Sequence, residues 1–560
     1  IQFATKQLQF SWAAVDGATF YRVLEDATGT GAFAQIGGDL TALTFSRDIA
    51  VHTFAWSAAR YQVQACNSAG CATSATLSAA SGVLQTIGYF KAANTGSGDT
   101  FGWSITLSDD GTTLAVGAPA EDSSATGVNG SQSNNSSADS GAVYVFSNSG
   151  NGWIQQAYIK ASNTYPGDNF GESVALSSDG NTLAIGAPLE DGAATTVNGN
   201  QTTRSANDAG AVYVFVRSGA TWSQQAYVKP SNTYASSYFG WSVALSDDGN
   251  TLATGAPGES NSVGGINPSS NTHSANNAGA AYVFARSGNT WSQQVYLKAS
   301  NAGAEDNFGS SIALNGSGST LAIGAPYEAS AATGINGSQS NNSASTSGAA
   351  YVFTRSGSTW SQQAYVKASN TGAGDNFGAA LALDNTGDTF AVGAPYEASA
   401  STGISGTQSS NSAANAGAAY VFTRSGSSWS QQAYVKASNT NTNDDFGTAL
   451  ALSSDGNALA VGAIGESSSA PGINGDQADN SKDGVGAVYL FKRTNSTWAQ
   501  QTYIKPSAST LGDEFGTALG ISADGSTLAI SGAFEQSSAS GIGGTQADTS
   551  ATDAGAVWLF

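Results

Sequence analysis

Along most of the chain, apolar and polar residues alternate in short runs, and the same runs return at a fixed distance. Phe170-Gly171 opens a strand-like stretch that ends at Leu176; Ser178-Asp179-Gly180 then makes a turn, and Thr182 to Ala187 forms a second apolar run. Asp-Gly between two such runs is a strong hairpin signal, because glycine accepts the positive φ that the turn needs. A polar segment, Glu190 to Ala209, precedes a third run, Gly210 to Phe215, and an Arg-Ser-Gly turn leads to a fourth, Trp222 to Lys229. We call these strands a, b, c and d. The Phe-Gly pair recurs at Phe101, Phe170, Phe239, Phe308, Phe377, Phe446 and Phe515, always 69 residues apart and with no insertion. Such a period dictates a repeat fold, since a unit this short cannot bury a core alone.

Strand c is apolar on both faces: Ala211, Tyr213 and Phe215 alternate with Val212 and Val214. A strand buried on both sides needs a cover on each, and radially packed sheets supply it, each blade lying against two neighbours. Four strands in each of seven repeats predict an all-β fold, a seven-bladed β-propeller. Gly171 and Gly186 fit close backbone approach near a crowded axis. The last repeat ends at Phe560, the end of its strand c, while an unpartnered strand d stands before the first Phe-Gly. Tyr89 lies 69 residues before Tyr158, so residues 84–92 are in register to complete the seventh blade. That closure removes an open sheet edge.

Residues 1–82 lie outside the repeat. Gln7 to Trp12 alternates, Val15-Asp16-Gly17-Ala18 reads as a turn, and Thr19 to Leu24 and Tyr61 to Cys66 read as further strands. Short strands with turn signals between them predict a β-sandwich. The Trp on an early strand, Tyr-Arg-Val on the next, and Tyr-x-Val-x-Ala before a hairpin resemble a fibronectin type III domain with a shortened first strand. Such modules usually act as spacers. The division expected is therefore 1–82 for the sandwich and 83–560 for the propeller. Phe-Gly followed by Gly-Ala-Pro resembles the FG-GAP repeat of integrin α-subunit heads, in the bacterial form that ends in Gly-Ala-Val-Tyr-Val-Phe and a Trp-containing strand. Five copies keep Gly-Ala-Pro; the sixth has Gly462-Ala463-Ile464 and the seventh Ser531-Gly532-Ala533.

Composition narrows the function. With 40% hydrophobic residues and 10% aromatic ones the 560-residue chain is no disordered segment. Its formal charge of −21 argues against nucleic acid, whose phosphates it would repel. No apolar run is long enough to span a bilayer. The start, Ile1-Gln2-Phe3-Ala4, lacks the features of a signal peptide, and there is no Met; the chain reads as a piece of a longer product. Cys66 and Cys71 are the only cysteines, too few for a metal site, and are candidates for a disulfide across a hairpin in an oxidising, extracellular setting.

Candidate site residues come from the face where the b–c and d–a connections emerge together as a polar crown. Segments of this length are usually functional or ordered by their own contacts. A glutamate follows the Gly-Ala-Pro site in every copy: Glu121, Glu190, Glu259, Glu328, Glu397, Glu466 and Glu535. An aspartate stands two before Phe-Gly at Asp99, Asp168, Asp306, Asp375, Asp444 and Asp513, with Ser237 in the third copy. A third repeated position, a glutamine such as Gln201 or Gln339, sits in the loop tips. Each Glu–Asp pair, with loop carbonyls, would hold a cation or sugar hydroxyls. Alternatively they accept backbone N–H groups and fix the loops, a reading favoured by their presence in nearly every copy. Lys91, Lys160, Lys229, Lys298, Lys367, Lys436 and Lys505 are expected to run along the outer rim with their heads in water. The tryptophans of strand d, from Trp153 to Trp498, are expected to pack, with sugar stacking as the alternative.

The resemblance brings with it a calcium loop between strands a and b. Here those turns are short, as in Asp109-Asp110-Gly111 and Gly316-Ser317-Gly318, and offer too few oxygens. Ca²⁺ is therefore considered only for the crown acids. Catalysis has little to stand on, with two histidines, His52 and His273, and no Ser/His/Asp spacing. The expectation is a non-enzymatic, extracellular or cell-surface binding or adhesion module that takes a glycan or protein on its crown. The alternatives are a structural spacer of a large surface protein or fibre, and a polysaccharide lyase or hydrolase. The lyase or hydrolase predicts unique acids, His or Tyr at the central channel.

Overall fold

A computed structural model describes residues 1–150, 152–269 and 272–560. Seven four-stranded antiparallel sheets follow one another, each in the order a-b-c-d. In the second blade, strand a is Ser173–Leu176, b Thr182–Ala187, c Ala211–Ser218 and d Thr221–Val228. Strand a of each blade packs beside strand a of the next, and that of the seventh, Leu519–Ile521, packs beside that of the first, Ser104–Leu107. The ring is closed, and the a strands surround its axis.

The chain ends latch as the register required. Gly88–Phe90 is the outer strand of the seventh blade, with Tyr89 opposite Trp558 and Phe90 opposite Val557. The strand is shorter than residues 84–92, because Val83–Thr86 forms a helical turn, the one helix among the described residues. Tyr89 packs its ring 5.6 Å from that of Trp558.

Strand a also begins later than the alternation suggests, at Ser173 rather than Phe170. Gly171 has φ +99°, and its Cβ position would lie 2.6 Å from the Ala142 carbonyl of the preceding blade, so only glycine fits. The Phe170 amide meanwhile donates to Ser140 O of that blade at 3.2 Å, and the same bond recurs at Phe101, Phe239, Phe308, Phe377, Phe446 and Phe515. Phe-Gly is thus a blade-to-blade joint. The phenylalanine ring is fully buried in all seven copies.

The core lies between blades. Val143 and Val145 of the first blade share a cluster with Phe170, Leu183, Ile185 and Tyr213 of the second. Strand c is buried on both faces for its first five residues.

The N-terminal segment forms two sheets. Gln2–Ala4, Gln7–Ser11 and Thr44–Asp48 make one; Ala34–Leu40, Phe20–Asp26, Arg60–Asn67 and Gly70–Thr73 make the other, with Leu77–Ser78 also pairing on Arg60–Asn67. Leu8, Phe10, Val23 and Tyr61 fill the space between them. A disulfide joins Cys66 and Cys71, which face each other in the Arg60–Asn67/Gly70–Thr73 hairpin. This core runs on without a break into Val488 and Ile504 of the sixth blade and Ile530 and Trp558 of the seventh. Thr502 donates to His52 O at 2.8 Å, and His52 Nε2 lies 3.0 Å from Gly525 O.

Candidate functional site

The seven crown glutamates are buried, none more than 3% exposed. Each meets the lysine at the end of strand d of its own blade, with N–O distances from 2.6 Å (Lys298–Glu259) to 3.1 Å (Lys229–Glu190). The other pairs are Lys91–Glu535, Lys160–Glu121, Lys367–Glu328, Lys436–Glu397 and Lys505–Glu466. The lysines therefore do not lie along the outer rim with their heads in water; their side chains are fully buried. The reason is topological. The glutamate leaves strand b where strand d of the same blade ends, 39 residues on, and both groups are covered by the b–c loop. Burial lowers each lysine's pKa below its ordinary value, and the adjacent glutamate acts in the opposite sense.

Other bonds complete the cluster. Tyr158 donates to Glu121 at 2.9 Å and the Ser123 amide donates to its other oxygen at 3.1 Å. Asn94, on the connection from the preceding blade, donates to Glu121 at 2.9 Å and accepts from Tyr144 at 2.6 Å. Asn163, Asn301, Asn370 and Asn439 do the same for Glu190, Glu328, Glu397 and Glu466. In these five blades the asparagine ties the b–c loop to the blade before it; the seventh blade has Ala508 at the equivalent position.

The aspartates are buried too, between 0% (Asp513) and 6% (Asp375) exposed. Asp99, Asp306, Asp375, Asp444 and Asp513 each accept the backbone N–H three residues before them, at 2.6 to 2.8 Å. Desolvation raises the carboxyls of Asp99, Asp375, Asp444 and Asp513 to about 7 and that of Asp306 to about 6. Asp168 differs: Arg204 bonds it at 2.7 Å and stacks on Tyr165. The glutamines also join blades, as Ser162 to Gln201 at 2.8 Å and Ser300 to Gln339 at 2.9 Å show. The tryptophans of strand d from the second blade to the sixth are buried beneath arginines; Trp222 lies 5.4 Å from the Arg217 guanidinium and donates to Gln156 of the previous blade at 2.9 Å.

The a–b turns do not fit a calcium ion. Asp179 already accepts from Ser177 Oγ at 2.6 Å and the Asn181 amide at 2.9 Å. No group of three or more His, Cys, Asp or Glu stands ready to hold a metal among the described residues.

What the repeat pattern did not single out is the mouth of the axis on the crown face. Here the copies differ. The residue just after Phe-Gly is Trp103 in the first, Glu172 in the second and Trp241 in the third, but small (Ser310, Ala379, Thr448, Thr517) elsewhere. Trp103 Nε1 donates to Glu172 at 2.9 Å, and its ring lies 6.3 Å from that of Phe534. Trp241 lies 6.2 Å from Tyr238. Tyr327 and Tyr396 stand at the corresponding ends of strand b in the fourth and fifth blades, 42% and 44% exposed. Asp445 and Glu514 continue the ring into the sixth and seventh. Desolvation raises Glu172 to about 7 and Asp445 to about 6. The signal available in the sequence was departure from the repeat, not conformity to it.

The fold and these joints define a closed propeller with a latched loop face. The FG-GAP repeat pattern matches residues 89–146, 153–215, 222–284, 291–353, 360–422 and 429–491, and the chain belongs to the FG-GAP repeat family. Each match starts with the outer strand of one blade and ends with strand c of the next, so the sequence unit is offset from the blade by one strand. The last copy, with Ser531-Gly532-Ala533, lies outside the matches. No curated protein matches the chain. A Bacteroides uniformis protein provisionally assigned as a 6-phosphogluconolactonase aligns over 88% of this chain and 98% of its own at 8% identity and a TM-score of 0.40, too remote to carry an argument.

Proposed function

We propose that this chain is an extracellular or cell-surface binding or adhesion module whose crown face is the recognition surface. FG-GAP repeats are found in extracellular and adhesion-type modules. The observation that carries the reading is the division of labour on the crown. The repeated acids and lysines lie inside, bonded to one another and to the backbone, so the loops are presented on a rigid base. Rigid presentation lowers the ordering cost of binding. The N-terminal β-sandwich, resembling a fibronectin type III domain, acts as a spacer fused to the closing blade, and we divide the chain at residue 82. In this reading the chain is not a catalyst: His52 sits inside the sandwich–propeller junction, and His273 stacks on Tyr234 at 3.8 Å. No helix of the described residues is long and apolar enough to cross a membrane.

The test is binding of the whole chain to a glycan array and to immobilised matrix proteins, with and without EDTA. Saturable binding that is lost on disordering the crown, for instance in Glu190→Ala, is the expected result. Silence toward every glycan and protein would overturn the proposal.

A further inference from the structure

We propose that the axial mouth on the crown face binds a neutral glycan. Its sugar rings stack on the separate aromatic platforms, and its hydroxyls donate to the carboxylates between them. This rests on the reading of the crown as the recognition surface and says where on it, and for what, the site is built.

The first support is the break in symmetry. Positions that hold the ring together keep their residue type from blade to blade, as Phe-Gly and the Glu–Lys pairs do. The position after Phe-Gly accepts Ser310 or Ala379 without harm to the ring. Trp103 and Trp241 at that position are 37% and 41% exposed, so packing does not account for them. Large aromatic rings left in water are a liability unless they meet a ligand. They join two aspects in one side chain, an apolar face and a polar edge.

The second support is the arrangement. Trp103 pairs with Phe534 and Trp241 with Tyr238, Tyr327 and Tyr396 stand singly on the fourth and fifth blades, and Glu172 lies between the two tryptophans, with Asp445 and Glu514 on the sixth and seventh blades completing the circuit. Platforms spread around an opening suit several rings of an oligosaccharide better than a single point charge. Two acceptors on the residues that precede Phe446 and Phe308, Asp445 Oδ1 and Asn307 Oδ1, are buried without a hydrogen-bond partner among the described residues. No Lys or Arg stands among these rim positions, and the chain carries a formal charge of −21, so sulfated or uronic acid-rich glycans are disfavoured.

The experiment uses the full chain. Neutral, sulfated and uronic acid-rich oligosaccharides, with polylysine as a cationic control, are titrated against the parent and against Trp103→Ala, Trp241→Ala, Glu172→Gln and the double variant Tyr327→Ala/Tyr396→Ala. Melting temperature checks the fold. The parent should bind a neutral oligosaccharide with a change in tryptophan emission. Each tryptophan variant should lose about tenfold or more in affinity at an unchanged melting temperature. Equal binding by parent and rim variants would overturn the axial site. If the same binding were lost in Gln201→Ala at a loop tip, the crown reading would survive without it. Binding of only anionic glycans, only polylysine or only protein would likewise overturn this proposal. Silence toward every oligosaccharide would overturn the axial site, and silence toward the immobilised matrix proteins as well would overturn both readings.

Discussion

Removing one buried lysine tests the central energetic claim, that the Glu–Lys pairs are joints of the ring rather than surface charges. Lys367 in the fourth blade, far from the sandwich, is the cleanest choice. Its ammonium bonds Glu328 at 2.9 Å and Ser347 Oγ at 2.8 Å, and both charged side chains are at most 1% exposed. At that distance the Coulomb attraction is about 6 kcal/mol for an effective dielectric of about 20. Desolvation opposes it, and burial keeps the lysine's pKa below its ordinary value despite the neighbour. The pair as a whole is therefore close to break-even, but half of it is not. Lys367→Ala leaves the Glu328 carboxylate buried with Asn301 as its remaining strong partner, at a cost of about 3–5 kcal/mol. The double variant Lys367→Met/Glu328→Gln removes both charges at similar volume and should lie within about 1 kcal/mol of the parent.

The sign with pH follows. An unpaired buried charge is disfavoured by desolvation, so the Lys367→Ala deficit is smaller at low pH, where the Glu328 charge can be neutralised, and larger at high pH. Urea midpoints of the parent, both single variants and the double variant at pH 5 and pH 8 give the cycle. A loss below about 1 kcal/mol in Lys367→Ala, or a double variant worse than either single one, would refute the reasoning.

Three further outcomes are expected. Phe308→Ala should cost about 3–5 kcal/mol, because the ring is fully buried and lies 5.2 Å from that of Tyr351; a urea midpoint within about 1 kcal/mol of the parent would place it outside the core. Gly348→Ala should cost about 2 kcal/mol or more, since φ is +80° and the new Cβ would lie 2.0 Å from Phe377 O, a backbone atom; an unchanged melting temperature would contradict that joint. Asp99, Asp375, Asp444 and Asp513, raised to about 7, supply stability that is fully present below the unfolded pKa of about 3.9 and lost as pH rises through about 7. The melting temperature should therefore fall between pH 5 and pH 8, and less so in Asp513→Asn; a flat parent profile would be the contrary result.

Period and alternation in the sequence alone determined the ring. The 69-residue step, the doubly apolar strand c and the stray strand at Tyr89 implied the number of blades and the place where they close. The local rules are legible because each blade repeats them: a turn at Asp-Gly, a glycine where φ is positive, an aromatic where two sheets meet. Depth was not legible. Lys367 and Glu328 recur in register, yet periodicity says only that such positions are equivalent, not whether they face water. Only the packed blade brings the end of strand b to the end of strand d beneath a loop, which turns an expected rim lysine into a buried partner. The same holds for the core shared by the sandwich and the closing blade, and for the gathering of Trp103, Glu172, Trp241 and Tyr396 at one opening. Contacts between residues far apart in the chain are made by closure of the ring, and no local pattern encodes them.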